Sequence, residues 1–254
     1  MPVDLRLTPE VRGPLSVYPF FAARDLGVDA FVTDRFGGVS DGPYDSLNLG
    51  EHVGDDPSRV RENRRRVATA AGVDLADLII VHQVHGHVVA RADTVTPDTN
   101  ADSLITSSTR HALAILVADC LPVLLVDTSS DQIALVHAGW RGLRGGVLAS
   151  SLACFADPAR VHAFIGPSIS AEGYQVGPEV AQHFIHIDAA VLSDVGDRSR
   201  LDLRRVAIEQ LRTRGVAMEH MSTSTQSTNG GETFFSDRAL RPCGRFALVA
   251  RRTS

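Results

Sequence analysis

The stretch that most constrains this chain runs from Ala112 to Gly142 and reads ALAILVADCLPVLLVDTSSDQIALVHAGWRG. Two apolar runs of strand type are separated by the turn-forming segment Asp127-Thr128-Ser129-Ser130-Asp131. Cys120 lies near the outer end of the first run and His137 near the outer end of the second. A hairpin turn centred on Ser129 places His137 opposite Leu121, one position from Cys120. A thiolate and an imidazole then become neighbours where the backbone leaves a buried sheet, which is where binding residues concentrate. A structural reading competes at this point, because free cysteines are often buried and a strand-end histidine often bonds a carbonyl. Further residues have to decide.

With 254 residues, 44% of them hydrophobic, the chain can bury a sizeable core, and we expect one domain spanning residues 1–254. The net charge of -5 offers no electrostatic case for nucleic acid or an anionic membrane as partner. Asp119 interrupts the longest apolar stretch after seven residues, and MPVDLRLTPEVRG lacks the regions of a signal peptide. The expected location is therefore cytoplasmic. Cys120, Cys154 and Cys243 are widely spaced without a CxxC pair, which suits neither a disulfide framework nor a structural zinc ribbon. Lysine is absent, so all 25 basic residues are arginine. That excludes a lysine Schiff base and a P-loop, and leaves arginine forks, backbone amides or a metal to hold any phosphate.

Along the chain, a short strand over Ala30–Thr33 leads into a loop from Arg35 to Gly50 rich in Gly, Ser, Asp and Asn. A loop of that length in a compact domain is expected to bind something. A helix is predicted from Pro57 to Ala71 with Gly72 as its stop, and Arg64, Arg65 and Arg66 splay over different faces of it. Leu78–Val81 reads as a strand, followed by a segment in which His85 and His87 share a face and His82 points the other way. Beyond the hairpin, a glycine-rich passage from Gly139 to Val147 leads into a helix ending near Phe155, an anion-receiving helix start with Arg141 beside it. A strand over Val161–Ile165, helices over Pro178–Phe184 and Leu203–Arg214, and a last strand over Arg245–Val249 complete the pattern. Interspersed strands and helices without a dividing linker predict an α+β (mixed α/β) fold of layered sheets flanked by helices.

His85 follows a buried-type strand and supplies a third ligand type. His, Cys and His are three protein ligands, the number a catalytic zinc keeps when its fourth position is left for water or substrate. His82, His87 and His111 remain alternatives for a fourth, so the open site is a preference.

At this point the residues carry a resemblance. Arg35-Phe36-Gly37-Gly38-Val39-Ser40, Ser46-Leu47-Asn48-Leu49-Gly50, Asn63-Arg64, Gln83-Val84-His85-Gly86, Ala118-Asp119-Cys120-Leu121-Pro122, Val136-His137-Ala138-Gly139-Trp140-Arg141-Gly142 and Gly166-Pro167-Ser168-Ile169 occur in order. Together they resemble the multicopper polyphenol oxidase (laccase-like) domain family, also called the YfiH-type purine nucleoside phosphorylase family. The resemblance runs from about Phe31 to Ala250. It implies a single zinc on His85, Cys120 and His137, and a pocket for purine nucleosides and phosphate. It further implies phosphorolysis of adenosine, inosine, guanosine and methylthioadenosine, and deamination of adenosine. Asn48 and Arg64 match family residues associated with the substrate site, and Ser40 lies in the matching loop. This chain departs from the family pattern at Ser224-Thr225, where Cys-Thr is usual, and at Asp237-Arg238-Ala239, where Tyr-Arg-Arg is usual. Those departures bear on substrate preference more than on the metal.

Three chemistries follow. In a zinc-dependent nucleoside enzyme, metal-activated water suits attack at C6 of adenine, whereas phosphorolysis needs an arginine for phosphate, with Arg64 and Arg141 as the choices. Asp119, beside a metal ligand, is the residue put forward for proton handling; a carboxylate hydrogen-bonded at a strand end is the structural alternative. A copper oxidase would take Cu2+ at the same three ligands, but ten scattered histidines do not make several copper positions. A cysteine hydrolase would use Cys120 as nucleophile and His137 as base.

Overall fold

The computed structural model describes residues 2–253, and its strands are numbered β1–β16 and its helices α1–α6 in chain order. One seven-stranded sheet runs in the order β1 (Val3–Asp4), β15 (Met221–Thr223), β11 (Val161–Ile165), β9 (Leu121–Asp127), β10 (Ile133–Ala138), β7 (Ser103–Thr106) and β6 (Val89–Arg91). A six-stranded sheet runs β2 (Glu10–Arg12), β3 (Leu15–Pro19), β4 (Val28–Thr33), β16 (Phe246–Arg252), β8 (Ala112–Val117) and β5 (Leu78–Ile79). A small third sheet joins β12 (Gln175–Val176), β14 (Ser199–Leu201) and β13 (Val191–Ser193).

The two large sheets pack face to face. Leu104, Leu124, Val126, Ile133 and Leu135 of one meet Val32, Leu113, Ile115, Phe246 and Leu248 of the other in a shared core. The alternate residues face outward into further layers. Val123, Leu125, Ala134 and Val136 are covered by α4 (Val147–Leu152), α5 (Pro178–Ala181) and α6 (Leu203–Thr213). On the opposite side, Phe31, Ala114, Leu116 and Val249 are covered by α2 (Pro57–Ala70) and by Leu47 and Leu49 of the long loop. Strands buried on both faces have no polar side to show, which is why β8, β9 and β10 read as continuous apolar runs. The mixed α/β class and the layering agree with the expectation.

The first apolar run is two strands and not one. β8 belongs to the six-stranded sheet and β9 to the seven-stranded sheet, so the chain changes sheet at Ala118-Asp119-Cys120. Asp119 makes that step in the left-handed region, with φ of 89°. The helix predicted to continue to Phe155 is divided at Gly146, whose φ is 84°, into α3 (Trp140–Gly145) and α4. A six-residue α3 does not make the anion-receiving helix start that the glycine pattern implied. The short strands β1–β3, β6, β7 and β12–β15 were not legible in the sequence, being too short or too irregular for a clear period. No helix among the described residues is long and apolar enough to cross a membrane.

Asp34, directly after β4, is 3% exposed, and its Oδ1 accepts the Phe36 amide at 2.9 Å. Burial pushes its pKa up to about 6. Because the folded pKa lies above the unfolded one, the fold favours the neutral acid: nothing is lost below about pH 4, and stability falls as pH rises toward 6. Asp34→Asn keeps an acceptor for Phe36. It is expected to raise stability at pH 7.5 by on the order of 2 kcal/mol and to leave it near wild type at pH 4, as read by urea unfolding. The same pH dependence in both proteins would contradict this account.

Candidate metal centre

Each of the three soft ligands arrives on a different piece of chain. Cys120 stands at the crossing from β8 to β9, His137 is the penultimate residue of β10, and His85 lies in the loop after β5. In the hairpin His137 pairs with Pro122, and Leu121 with Ala138, so the register differs by one residue from the expected one. The turn closes with the Asp127 amide donating to Gln132 O, and Cys120 lies just beyond the last rung. The outcome is the same meeting of thiol and imidazole.

The ligand atoms of His85, Cys120 and His137 all lie within 4.8 Å of one another. The two imidazole rings meet edge to face, with centroids 4.7 Å apart. Gly139 makes room behind them: a Cβ there would stand 2.8 Å from Cys120 Sγ and 3.2 Å from His85 Cδ2. His82, His87 and His111 do not join, and no other group of three His, Cys, Asp or Glu ligands converges among the described residues.

Asp102, which the sequence did not single out, organises two of the three ligands. It is fully buried immediately before β7, and its carboxylate accepts the amides of Val84 at 3.2 Å, His85 at 2.9 Å and Gly86 at 2.6 Å. Three successive amides aimed at one acceptor form a nest, and His85 accordingly adopts a left-handed φ of 58°. Asp102 Oδ1 is also 2.8 Å from His137 Nδ1. That contact commits Nδ1 and leaves Nε2 as the free nitrogen of the ring, the arrangement seen where a carboxylate orients a metal-binding histidine. Burial alone would push Asp102 up; His137 and the amides of Gly86 and Val84 more than offset it and hold the carboxyl below its ordinary range.

Burial also pushes the Cys120 thiol up, but the His137 imidazole, with His85 assisting, brings it down to about 6. Burial pushes His137 down, and the Cys120 thiolate with Asp102 reverses this to about 9. Each partner thus favours the charged form of the other, thiolate beside imidazolium. A thiolate flanked by two imidazoles is a donor set that fits zinc or copper.

The three ligands open onto a cavity of about 860 Å³ whose wall includes His52, Arg64, His82, Trp140, Arg141, Tyr174, Asp237, Arg238, Arg241 and Arg245. Arg64 and Arg141 therefore line the same cavity as the ligands. Ser40 and Asn48 do not: they lie behind the wall. Asn48 donates to Gly50 O and Asp55 Oδ2 and accepts from the amides of Gly50 and Arg245. Ser40 donates to Asp55 and accepts from Asn63. Arg64 is itself committed to Leu49 O at 2.9 Å and Glu51 Oε1 at 2.7 Å. The long loop is thus anchored on α2 by a polar network that shapes the cavity wall.

Asp119 reaches the cavity, but its carboxylate accepts from Thr228 Oγ1 at 2.6 Å, Ser236 Oγ at 2.7 Å and the Arg238 amide at 2.7 Å. With three donors it works as an anchor for the segment 228–238. Its neighbour in space, Arg238, had a sequence signal in its position just after Phe234-Phe235-Ser236-Asp237; Asp102, in Asn100-Ala101-Asp102-Ser103, had none.

Comparison with known proteins adds a family context. Residues 29–253 match the family described as multi-copper polyphenol oxidoreductase laccase. The purine nucleoside phosphorylase YfiH of Escherichia coli is 39% identical over 227 residues, covering 87% of this chain and 92% of its own. A crystal structure of the Bacillus licheniformis hypothetical protein YfiH superimposes with a TM-score of 0.88 at 28% identity, covering 96% of this chain and 98% of that one. YlmD from Geobacillus stearothermophilus gives 0.87 at 31% identity, covering 99% and 100%.

Two outcomes are expected from this geometry. Asp102→Asn should lower zinc affinity about 10- to 100-fold in competition with a chromophoric chelator, with the circular dichroism spectrum retained; wild-type affinity would refute the orienting role. In metal-free protein, iodoacetamide should label Cys120 readily at pH 7 and more slowly as pH falls through about 6, and zinc should block it. Cys154 and Cys243, whose thiols burial pushes up, should lag behind in site-resolved mass spectra.

Proposed function

Because this chain belongs to the multi-copper polyphenol oxidoreductase laccase family, we propose that it is a zinc-dependent purine nucleoside phosphorylase built on His85, Cys120 and His137. The observation that carries this reading is the opening of a thiolate and two imidazoles onto an arginine-lined cavity of about 860 Å³, a volume suited to a nucleoside with phosphate. The substrates are adenosine, inosine, guanosine and methylthioadenosine, with deamination of adenosine as a second activity of the same centre.

In phosphorolysis a phosphate oxygen attacks C1′ of the ribose as the bond from C1′ to N9 breaks. The base leaves with the electron pair and ribose 1-phosphate remains. Guanidinium groups on the cavity wall hold the phosphate and offset its charge. A zinc on the three ligands supplies Lewis acidity at the inner wall. Asp102 orients His137 and His85, and Asp119 holds the segment that carries Arg238. Asn48 and Ser40 support the wall under Arg64 and Arg245. With Asp119 bound by three donors, His52 and His82 are the cavity imidazoles left to move a proton.

Site number speaks against a multicopper oxidase: such an enzyme needs several ions, and one three-ligand group converges among the described residues. The thiolate–imidazolium pair also meets the requirement of a cysteine hydrolase, and chelation separates the two, since a thiol nucleophile outlasts removal of zinc.

Cys120→Ala is expected to lose bound metal, by elemental analysis, together with phosphate-dependent turnover of inosine, by at least about 1000-fold on a chromatographic assay. Full phosphorolysis by a metal-free variant would end the reading. Phenol oxidation that rises with copper loading, in place of nucleoside turnover, would replace it with the oxidase.

A further inference from the structure

Five arginines line the cavity, and they are not equivalent. Arg64 is paired with Glu51. Arg241 and Arg245 both face Asp237, with Arg241 Nε 2.7 Å from Oδ2 and Arg245 Nη2 3.2 Å from Oδ1. Arg141 and Arg238 have no carboxylate partner among the described residues. Each instead lies over an aromatic ring on the same wall. Arg141 Cζ is 4.4 Å from the centroid of Trp140, and Arg238 Cζ is 5.1 Å from that of Tyr174. Arg238 also donates from Nη1 to Gln175 O at 2.9 Å.

A guanidinium backed by a ring is held in orientation, while its N–H edge remains available for a planar or tetrahedral oxyanion. The two cations also share a neighbourhood: both line the cavity together with Tyr174, over whose ring Arg238 lies. Their frames are tied to the metal ligands. Arg141 follows Gly139 and Trp140, and Gly139 backs the Cys120 sulfur and the His85 ring. The Arg238 amide is bound by Asp119, the residue before Cys120.

We infer that Arg141 and Arg238, flanked by Tyr174, form the oxyanion subsite of the cavity and bind inorganic phosphate beside the metal ligands, whereas Arg64 is part of the wall. Two uncompensated cations in a cavity of a chain with net charge -5 are matched by one dianion, which each guanidinium grips through two N–H groups. The inference rests on the phosphorylase reading and names the place of its second substrate. The same chemistry would also grip the phosphate ester of a nucleotide, so both ligands enter the test.

The experiment uses the zinc-loaded full chain and the variants Arg141→Met and Arg238→Met, with Arg141→Lys and Arg238→Lys as second variants that keep charge but not the fork. Each Met variant is expected to raise KM for phosphate about 10- to 100-fold, with KM for inosine and zinc content within about twofold of wild type. The Lys variants should fall between. Titration of wild type with inorganic phosphate, read by 31P NMR, should give a dissociation constant that rises in parallel, and adenosine 5′-monophosphate should bind no better than phosphate. If wild type phosphorolyses inosine while both Met variants keep its KM and affinity for phosphate, the subsite is wrong and the phosphorylase reading stands. If wild type shows no phosphorolysis, that reading falls, and the phosphate titrations still decide the subsite. Loss of nucleotide binding in the variants with phosphate affinity unchanged would overturn the assignment in favour of an ester site.

Discussion

The structure around the cavity depends on one buried carboxylate. Asp102 collects three successive amides from Val84 to Gly86 and the Nδ1 of His137, so one side chain fixes the orientation of two ligands that reach the centre on unrelated segments. Asp102 and His137 are both buried, so their contact satisfies groups that burial would otherwise leave costly. The left-handed backbone at His85 is sustained because the amides that create it have a charged acceptor.

Asp119 does the corresponding work on the opposite side. It stands where the chain steps from one sheet to the other, and its carboxylate gathers Thr228, Ser236 and the amide of Arg238. The thiol ligand and the arginine segment are thereby held by adjacent residues of one short crossing. The cavity lies between the sheet ends because that is where three constraints meet: the sheet change at 118–120, the end of the β9–β10 hairpin, and the nest at 84–86. β10 carries His137 to the spot and the crossing from β8 to β9 carries Cys120; loops closed by carboxylates supply the rest.

Much of this was legible in the residues. The two apolar runs on either side of the turn at Asp127–Asp131 announced strands, since burial on both faces removes nearly every polar position, although the first run divides between β8 and β9. The helices Pro57–Ala70 and Leu203–Thr213 were read nearly to their ends because Asp56 and Asp202 cap them through side-chain oxygens and Gly72 and Gly215 follow their ends. The thiol and imidazole were brought together by a hairpin argument that erred by one residue without consequence. The sheet change was missed because Asp119 and Cys120 interrupt an apolar run no more visibly than a bulge would.

Residue types and local spacing by themselves determined the class of fold, the double-sided burial of the central strands, and the set of soft ligands, because those depend on short-range period and on chemistry carried by single side chains. The tertiary structure alone decided which groups serve one another across distance. It made Asp102 the partner of His85 and His137, tied Asp119 to Thr228, Ser236 and the Arg238 amide, and joined Ser40 and Asn48 to Asp55 in the network behind the cavity wall. Among the described residues it also left Arg141 and Arg238 without a carboxylate partner while pairing Arg64 with Glu51. A side chain's charge is written in the chain, but the partner that neutralises it lies tens of residues away and is chosen only when the sheets close.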